Sequence, residues 1–278
     1  MGDSPVFLTG LPRTGKTALR QALGAHPRLS MTRKTRMWEN FYGSFGDLSD
    51  PGALERCLEA MLHDPGVARL LPDATAVRQA FAVRDRTYPE LFGVLQAQYA
   101  RRLGKARWGE QSAHLEVYTE AIFSTWPEAR MIHMVRHPFD WISTGSQRRP
   151  GGVGRELGKW TASAQLAIYN ASRHRDRYRV VQFERLMSDP VPTLQEVVSF
   201  IGEESNFGMG QTLLEALPDD SPGGLVPGAR KYITRAVDSL IRGLGYPDPD
   251  PEDRTDTVAS RILSRIWFGA RRTQPIRS

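Results

Sequence analysis

Gly10, Gly15, Lys16 and Thr17 follow the order G-x-x-x-x-G-K-[ST] within the stretch FLTGLPRTGKTALRQAL, residues 7–23. Glycine reaches positive φ at little cost, so such a loop can turn successive backbone N–H groups inward, and a helix starting behind it adds a partial positive charge. Arg13 and Lys16 supply two side-chain cations, and Thr17 a hydroxyl. Residues of these types at this spacing hold phosphate oxygens. The chemistry is nucleotide hydrolysis, a kinase transfer, or a phosphate cradle built for another reaction. The flanks supply the required context: Pro5, Val6, Phe7, Leu8 and Thr9 read as a short buried strand, and Ala18, Leu19, Ala22 and Leu23 are spaced as one face of a helix.

The elements that must carry this loop alternate. Residues 51–63 and 88–103 read as helices, RWGEQS as a strand end, 114–126 as a helix, and RMIHMVR (130–136) as a second buried strand. A helix from about Phe139, a long helix near 155–175, the strand YRVVQF (178–183) and a helix over 192–202 follow. Repeated βα units predict an α/β fold of the P-loop type, a parallel sheet between two layers of helices. ALPDDSPGGLVPGARKYI (216–233) reads as a Pro- and Gly-rich loop and YITRAVDSLIRGLGY as a helix, with PDPDPED linking to a last helix around 256–269. Residues 1–270 read as one domain without internal repeats, and 271–278 as a flexible basic tail.

With 278 residues, 40% hydrophobic and 24% charged, the chain has the make-up of a soluble globular protein. The formal charge of +6 favours an anionic ligand, but much of the excess lies in SRILSRIWFGARRTQPIRS, so no nucleic-acid partner is expected. Cys57 is the single cysteine, which excludes an intramolecular disulfide or a thiolate metal cluster and points to a reducing compartment. No apolar run reaches the length of a membrane span, the start lacks a signal-peptide layout, and Val6 stands where myristoylation needs Ser or Thr; the expected location is cytoplasmic.

Hydrolysis or phosphoryl transfer needs Mg²⁺, held by the loop Thr and commonly by an Asp ending a second buried strand. RMIHMV ends instead in Arg136, which can grip a phosphate bidentately and cannot bind a metal. Two loop cations and no metal carboxylate describe a site that neutralises anionic oxygens with no metal ion. Here the chain resembles the P-loop sulfotransferases that use 3′-phosphoadenosine 5′-phosphosulfate (PAPS), in their bacterial form. GLPRTGKTALRQALGAHP is similar to the 5′-phosphosulfate loop of that family, and MIHMVRHPFDWISTG to its 3′-phosphate motif, with Arg136, Pro138, Asp140 and Thr144 in order. RWGEQSAHLEVYTEAIFSTWPEAR resembles its K-[ST]-P-x-H-L segment, and VVQFERLMSDPVPTLQEVVSFIG its Y-E-x-L-x-x-D-P signature. The resemblance runs from about residue 5 to 202.

The resemblance implies sulfuryl transfer from PAPS to a hydroxyl of a small molecule, with 3′,5′-adenosine diphosphate as product and no metal. It places Arg13 and Lys16 at the bridging oxygen, the N–H groups of Thr14, Gly15, Lys16, Thr17 and Ala18 on the 5′-phosphate, and Arg136 with Thr144 or the adjacent Ser143 on the 3′-phosphate. His114 matches the family's His and is the expected general base, with Glu39 of RMWENF as its rival. Arg33 and Lys34 occupy the places where the protein-tyrosine branch has a Glu. Arg230 and Lys231, read as part of a glycine-rich loop, are expected to close over the 3′-phosphate; Glu184 has an ordering role and His137 a structural one. Gln111 stands where relatives usually have Lys, and Lys16 where many have Thr. A kinase or NTPase using ATP–Mg²⁺, and a catalytically weakened nucleotide-binding relative, are the alternatives. Trp38, Phe41, Tyr42, Phe45, Phe81, Tyr88 and Phe92 are core by default; any that line a cavity imply a hydrophobic or aromatic acceptor.

Overall fold

The computed structural model describes residues 4–146, 152–219 and 229–247. Five strands, β1 (Val6–Gly10), β2 (Leu29–Arg33), β3 (Arg107–Gln111), β4 (Arg130–Val135) and β5 (Tyr178–Gln182), form one sheet in the order β2-β3-β1-β4-β5. Every neighbouring pair is parallel. The helices are α1 (Lys16–Gly24), α2 (Met37–Phe41), α3 (Pro51–His63), α4 (Pro65–Ala68), α5 (Ala74–Ala82), α6 (Tyr88–Arg102), α7 (Thr119–Thr125), α8 (Pro138–Ser146), α9 (Gly152–Arg173), α10 (Phe183–Ser188), α11 (Pro190–Phe200), α12 (Phe207–Ala216) and α13 (Ala229–Gly243). A 3₁₀ turn spans Leu115–Tyr118. This is the α/β architecture that the repeated βα units predict.

The chain divides into two compact units. One comprises the residues up to Val135 together with Tyr169–Asp219 and holds the whole sheet. Its strands alternate strictly between two cores, as a pleated sheet buried on both faces must. Val6, Leu8, Ile132, Met134 and Val181 pack with Leu19 and Leu23 of α1 and with Leu194, Val198, Met209 and Leu213 of α11 and α12. Phe7, Met131 and Tyr178 face the other way, into a larger core with α3, α5 and α6. That second core is aromatic: Phe7, Phe92, Trp108 and Trp126 meet with centroids 5.3–6.2 Å apart. The other unit comprises, among the described residues, 136–146, 152–168 and 229–247. Within it α13 packs on α8, and Gly243 lies against Ile168 of α9.

Several elements differ from the sequence reading. LSMTR forms β2, the edge strand, which its mixed Ser/Thr composition hides from a search for apolar runs. The expected helix over 114–126 is broken: His114 takes φ 63, a 3₁₀ turn follows, and α7 starts only at Thr119. Helices α2, α4, α5, α10 and α12 went unread; four of the five span 4–9 residues, too short for periodicity to register. Arg230 and Lys231 belong to the first turn of α13, not to a loop. The helix expected around 256–269 and the tail from Arg271 lie outside the described residues.

Phe92 is fully buried and touches Phe7, Trp38, Trp108 and Trp126, so removing its ring leaves a void that four large rigid neighbours cannot fill. Phe92→Ala should lower unfolding free energy by about 3–5 kcal/mol, read as a fall in the urea midpoint at unchanged slope.

Candidate functional site

β1 is the central strand, and the chain leaves it toward β2 on one side while β4 and β5 lie on the other. In open α/β sheets such a switch point leaves a crevice beyond the carboxyl end of the strand. The loop occupies that end. Gly10 takes φ 119, and a Cβ there would stand 2.2 Å from the Met134 carbonyl oxygen, so only glycine lets β1 end this close to β4. Arg13 (φ 64) and Gly15 (φ 79) both adopt left-handed backbone around Thr14, whose Oγ1 donates to the Leu11 carbonyl at 2.8 Å. A Cβ on Gly15 would lie 2.7 Å from the Phe183 ring.

The first turn of α1 has no side-chain cap and no acidic residue. By contrast Asp50, Asp64, Asp73 and Thr87 cap α3, α4, α5 and α6 with their own oxygens. Helices α2, α7, α10 and α11 likewise have no side-chain cap, so what sets α1 apart is the glycine-walled loop in front of it. Lys16, at the first position of α1, is buried, and its Nζ donates to the carbonyls of Gly10 and Leu11.

Beneath the loop lies a buried polar cluster. Thr9 and His133 are register partners on β1 and β4, so both point into the aromatic-core side of the sheet. The Thr9 hydroxyl donates to the Glu116 carboxylate and accepts the Leu115 N–H at 3.1 Å. Asn170 donates to the Glu116 carbonyl at 2.9 Å, and His133 Nδ1 meets the Tyr178 hydroxyl at 2.6 Å. Burial pulls the Lys16 ammonium down to about 7, with Glu116 raising it and Lys34 lowering it further. Burial likewise pulls His133 down to about 4. Burial alone would raise Glu116, but His133 and the Thr9 hydroxyl outweigh it and hold the carboxyl below its ordinary value.

On the other side of β1, Gln111 pairs with Leu8 and so lies on the α1 face. It is 1% exposed, and its Oε1, like Ser112 Oγ, has no hydrogen-bond partner among the described residues. Its neighbour Glu110 faces the opposite way and is saturated by Thr32, Thr35 and Gln96. In the second unit Arg136, the residue after β4, is buried, and its carbonyl accepts the Trp160 indole N–H at 2.8 Å. Ser143 is 1% exposed while Thr144 is partly exposed, and both hydroxyls donate to the Asp140 carbonyl. The Arg230 guanidinium covers the Phe139 ring at 4.4 Å, and His137 packs against Phe139 and Tyr246.

A model described as the sulfotransferase family matches residues 5–206. The chain belongs to the sulfotransferase family. Solved structures share its fold. The sulfotransferase domain from the Synechococcus PCC 7002 olefin synthase is 20% identical, with 96% of this chain and 95% of that one covered and a TM-score of 0.57. A Mycobacterium avium sulfotransferase is 15% identical over 89% of this chain and 78% of that one, with a TM-score of 0.55. None of the curated proteins matches the chain.

Within this sulfotransferase fold the loop residues Arg13 to Ala18 form one continuous cradle in the first unit, and Arg136, Ser143, Thr144 and Arg230 all lie in the second. His114 is exposed in a left-handed turn at the carboxyl end of β3, and Glu39 is on α2, paired with Arg36 at 2.9 Å. Glu184 sits in the first turn of α10. Among the described residues no group of acids, His or Cys is placed to hold a metal ion, and no helix is long and apolar enough to cross a membrane. The sequence reading missed Thr9, Glu116, His133 and Asn170. The signal was present in His133, a titratable residue inside an apolar strand run.

The His133 proton makes stability pH-dependent. Unfolded His133 takes a proton near its ordinary 6.5, whereas the folded residue refuses it until about 4, so stability present above 6.5 is lost as pH falls toward 4. His133→Asn, which keeps a polar atom for Tyr178, should flatten that part of the urea-midpoint profile.

Proposed function

We propose that the chain is a PAPS-dependent sulfotransferase that moves the sulfuryl group to a hydroxyl of a small apolar or aromatic acceptor. The observation that carries this reading is the uncapped first turn of α1, walled by Gly10 and Gly15 and furnished with Arg13 and Lys16. Family membership and the buried Arg136 at the end of β4 support it. A donor with a 5′-phosphosulfate and a 3′-phosphate needs two anion grips; the loop offers one candidate set, and Arg136 with Ser143 and Thr144 offers another.

The loop N–H groups would hold the 5′-phosphate, and Arg13 with Lys16 would face the oxygen that gains charge as the sulfuryl group leaves. Arg136 would grip the 3′-phosphate, with Thr144 the more accessible hydroxyl beside it. His114 would accept the acceptor's proton: it is exposed, and its place in a left-handed turn holds the imidazole outside the buried cluster. Most of the aromatic residues between the loop and β3 pack on one another as core. Tyr42 and Tyr118, 5.5 Å apart, reach the surface beside Glu39 and offer the apolar wall for an acceptor.

Thermal-shift titration separates this reading from the kinase and NTPase alternative. The protein should be stabilised by 3′,5′-adenosine diphosphate without metal; stabilisation by ATP–Mg²⁺ alone would overturn the proposal. Nucleotide binding with no sulfonation across a broad panel of phenols and alcohols would leave the weakened relative instead. Arg136→Ala should raise the Kd for 3′,5′-adenosine diphosphate by about 10- to 150-fold, the loss of one charge-assisted grip. His114→Ala should cut turnover by about 10²–10⁴ with nucleotide affinity unchanged, while Glu39→Gln should keep turnover within a few fold; the reverse pattern assigns the base to Glu39.

A further inference from the structure

The chain turns sharply where β2 ends, and the turn is strained on both sides of Thr35. Lys34 (φ 48) and Arg36 (φ 54) both take left-handed backbone, a conformation unfavourable for residues that carry a side chain. Strand β3 holds them there. The carboxyl of Glu110, fully buried, accepts the Thr35 N–H at 3.2 Å and the Thr35 hydroxyl at 2.9 Å, and the Lys34 N–H donates to the Gln111 carbonyl at 2.7 Å. The corner is thus fixed by the sheet before any ligand arrives.

What the corner presents is positive charge. Leu29 and Met31 of β2 pack in the core on the α1 side, so strand alternation places Arg33 on that same face, where it is the register partner of Gln111. Arg33 and Lys34 are exposed, and among the described residues neither side chain has an ion pair or hydrogen bond, whereas Arg36 is paired with Glu39 at 2.9 Å. Two buried atoms nearby also lack partners among the described residues: Oε1 of Gln111, beside Arg33, and Nε of Arg20, on the helix that packs against β2. Burial holds the Arg20 guanidinium below its ordinary value and Arg33 lowers it further, with no acid acting to offset them. A solvated basic turn would account for two exposed cations. It accounts neither for the strained backbone nor for a buried amide oxygen left without a donor, which is costly unless a ligand supplies one.

We propose that the acceptor carries an anionic group, a carboxylate or a phosphate, and that Arg33 and Lys34 grip it at the carboxyl end of β2. This rests on the sulfuryl-transfer role proposed for the site. Gln111 Oε1, next to Arg33 in the sheet, would accept a hydrogen bond from a donor group of the same molecule. The chain runs from this corner through α2 directly to Tyr42, one of the two rings offered as an apolar wall. The acceptor is then an amphiphile, with a hydroxyl on an apolar or aromatic body and a negative charge at one end. Arg33 and Lys34 are specificity residues: they touch the acceptor away from the atoms that react.

The probes are 4-hydroxyphenyl alkanoic acids of increasing chain length, their methyl esters and the matching alkyl phosphates. Each is titrated calorimetrically into the full chain in saturating 3′,5′-adenosine diphosphate, which keeps the anions off the loop. At one chain length or more, the anionic probe should bind about tenfold more tightly than its ester, the low end for a charge-assisted grip at a partly solvated site. Arg33→Gln should remove most of that preference and Lys34→Gln about half of it on a logarithmic scale, with the Kd of the ester and of the nucleotide unchanged. Arg33→Lys, which keeps the charge, should retain part of it. Whichever of carboxylate and phosphate loses more affinity in Arg33→Gln is the group that the corner takes. Esters that bind as tightly as both anions at every length overturn the proposal, and so does a preference that survives Arg33→Gln and Lys34→Gln. A preference lost in Lys16→Met but kept in Arg33→Gln places the anion on the loop and refutes the corner. If the nucleotide itself does not bind, the donor reading fails, while the acid-to-ester ratio in the wild type against Arg33→Gln still decides whether the corner holds an anion.

Discussion

At Gly10 the sheet leaves no room for a side chain, since a Cβ would sit 2.2 Å from the Met134 carbonyl oxygen. That close approach lets the central strand end in register with its neighbour, and the loop must then rise steeply out of the sheet. Arg13 and Gly15 supply the two left-handed residues that turn it back into α1, and the Phe183 ring closes the space behind Gly15. The helix that results begins with no cap of its own. A first turn without a side-chain cap leaves its N–H groups to water or to an anion.

Placing a lysine in this loop has an electrostatic consequence. An ammonium taken out of water loses several kcal/mol of solvation unless other groups compensate. The Gly10 and Leu11 carbonyls supply hydrogen bonds, and Glu116 supplies charge. Glu116 in turn needs the Thr9 hydroxyl, and Thr9 reaches it because strand alternation sends Phe7 and Thr9 to the same face. The cluster therefore ties the loop to the sheet below it through a chain of compensated buried polar groups, each costly to leave unpaired.

Much of this was legible in the sequence because it depends on local rules. The loop, β1, β4 and α1 follow from glycine spacing, a short apolar run and helical periodicity, and α3 and α6 from apolar spacing. The parts that were not legible depend on tertiary placement. β2 carries Ser30 and Thr32, which look like surface residues until Thr32 is seen to bind Glu110 and Gln96 in the interior. Glu116 lies in a stretch with helical spacing, and its buried role appears only once Thr9, 107 positions away, is brought beside it by the sheet. His114 was read as starting a helix, but its left-handed conformation breaks that helix and sets the imidazole apart from it.

The two departures from the family pattern are then related. Gln111 is neutral where relatives usually carry a cation, and Lys16 is a cation where many carry Thr. Position 111 lies on the α1 face, and the adjacent acid Glu110 points to the opposite face, where Thr32, Thr35 and Gln96 already occupy it. A buried lysine at 111 would gain no counter-charge from that neighbour. Position 16 feels the Glu116 carboxylate, but burial outweighs it and pulls the ammonium down to about 7. Gln111 Oε1 and Ser112 Oγ, buried and without hydrogen-bond partners among the described residues, are neutral groups at the end of β3. On the donor-binding reading, the cations beside the oxygen that gains charge are those of the loop, Arg13 and Lys16, and no side chain at the end of β3 adds to them.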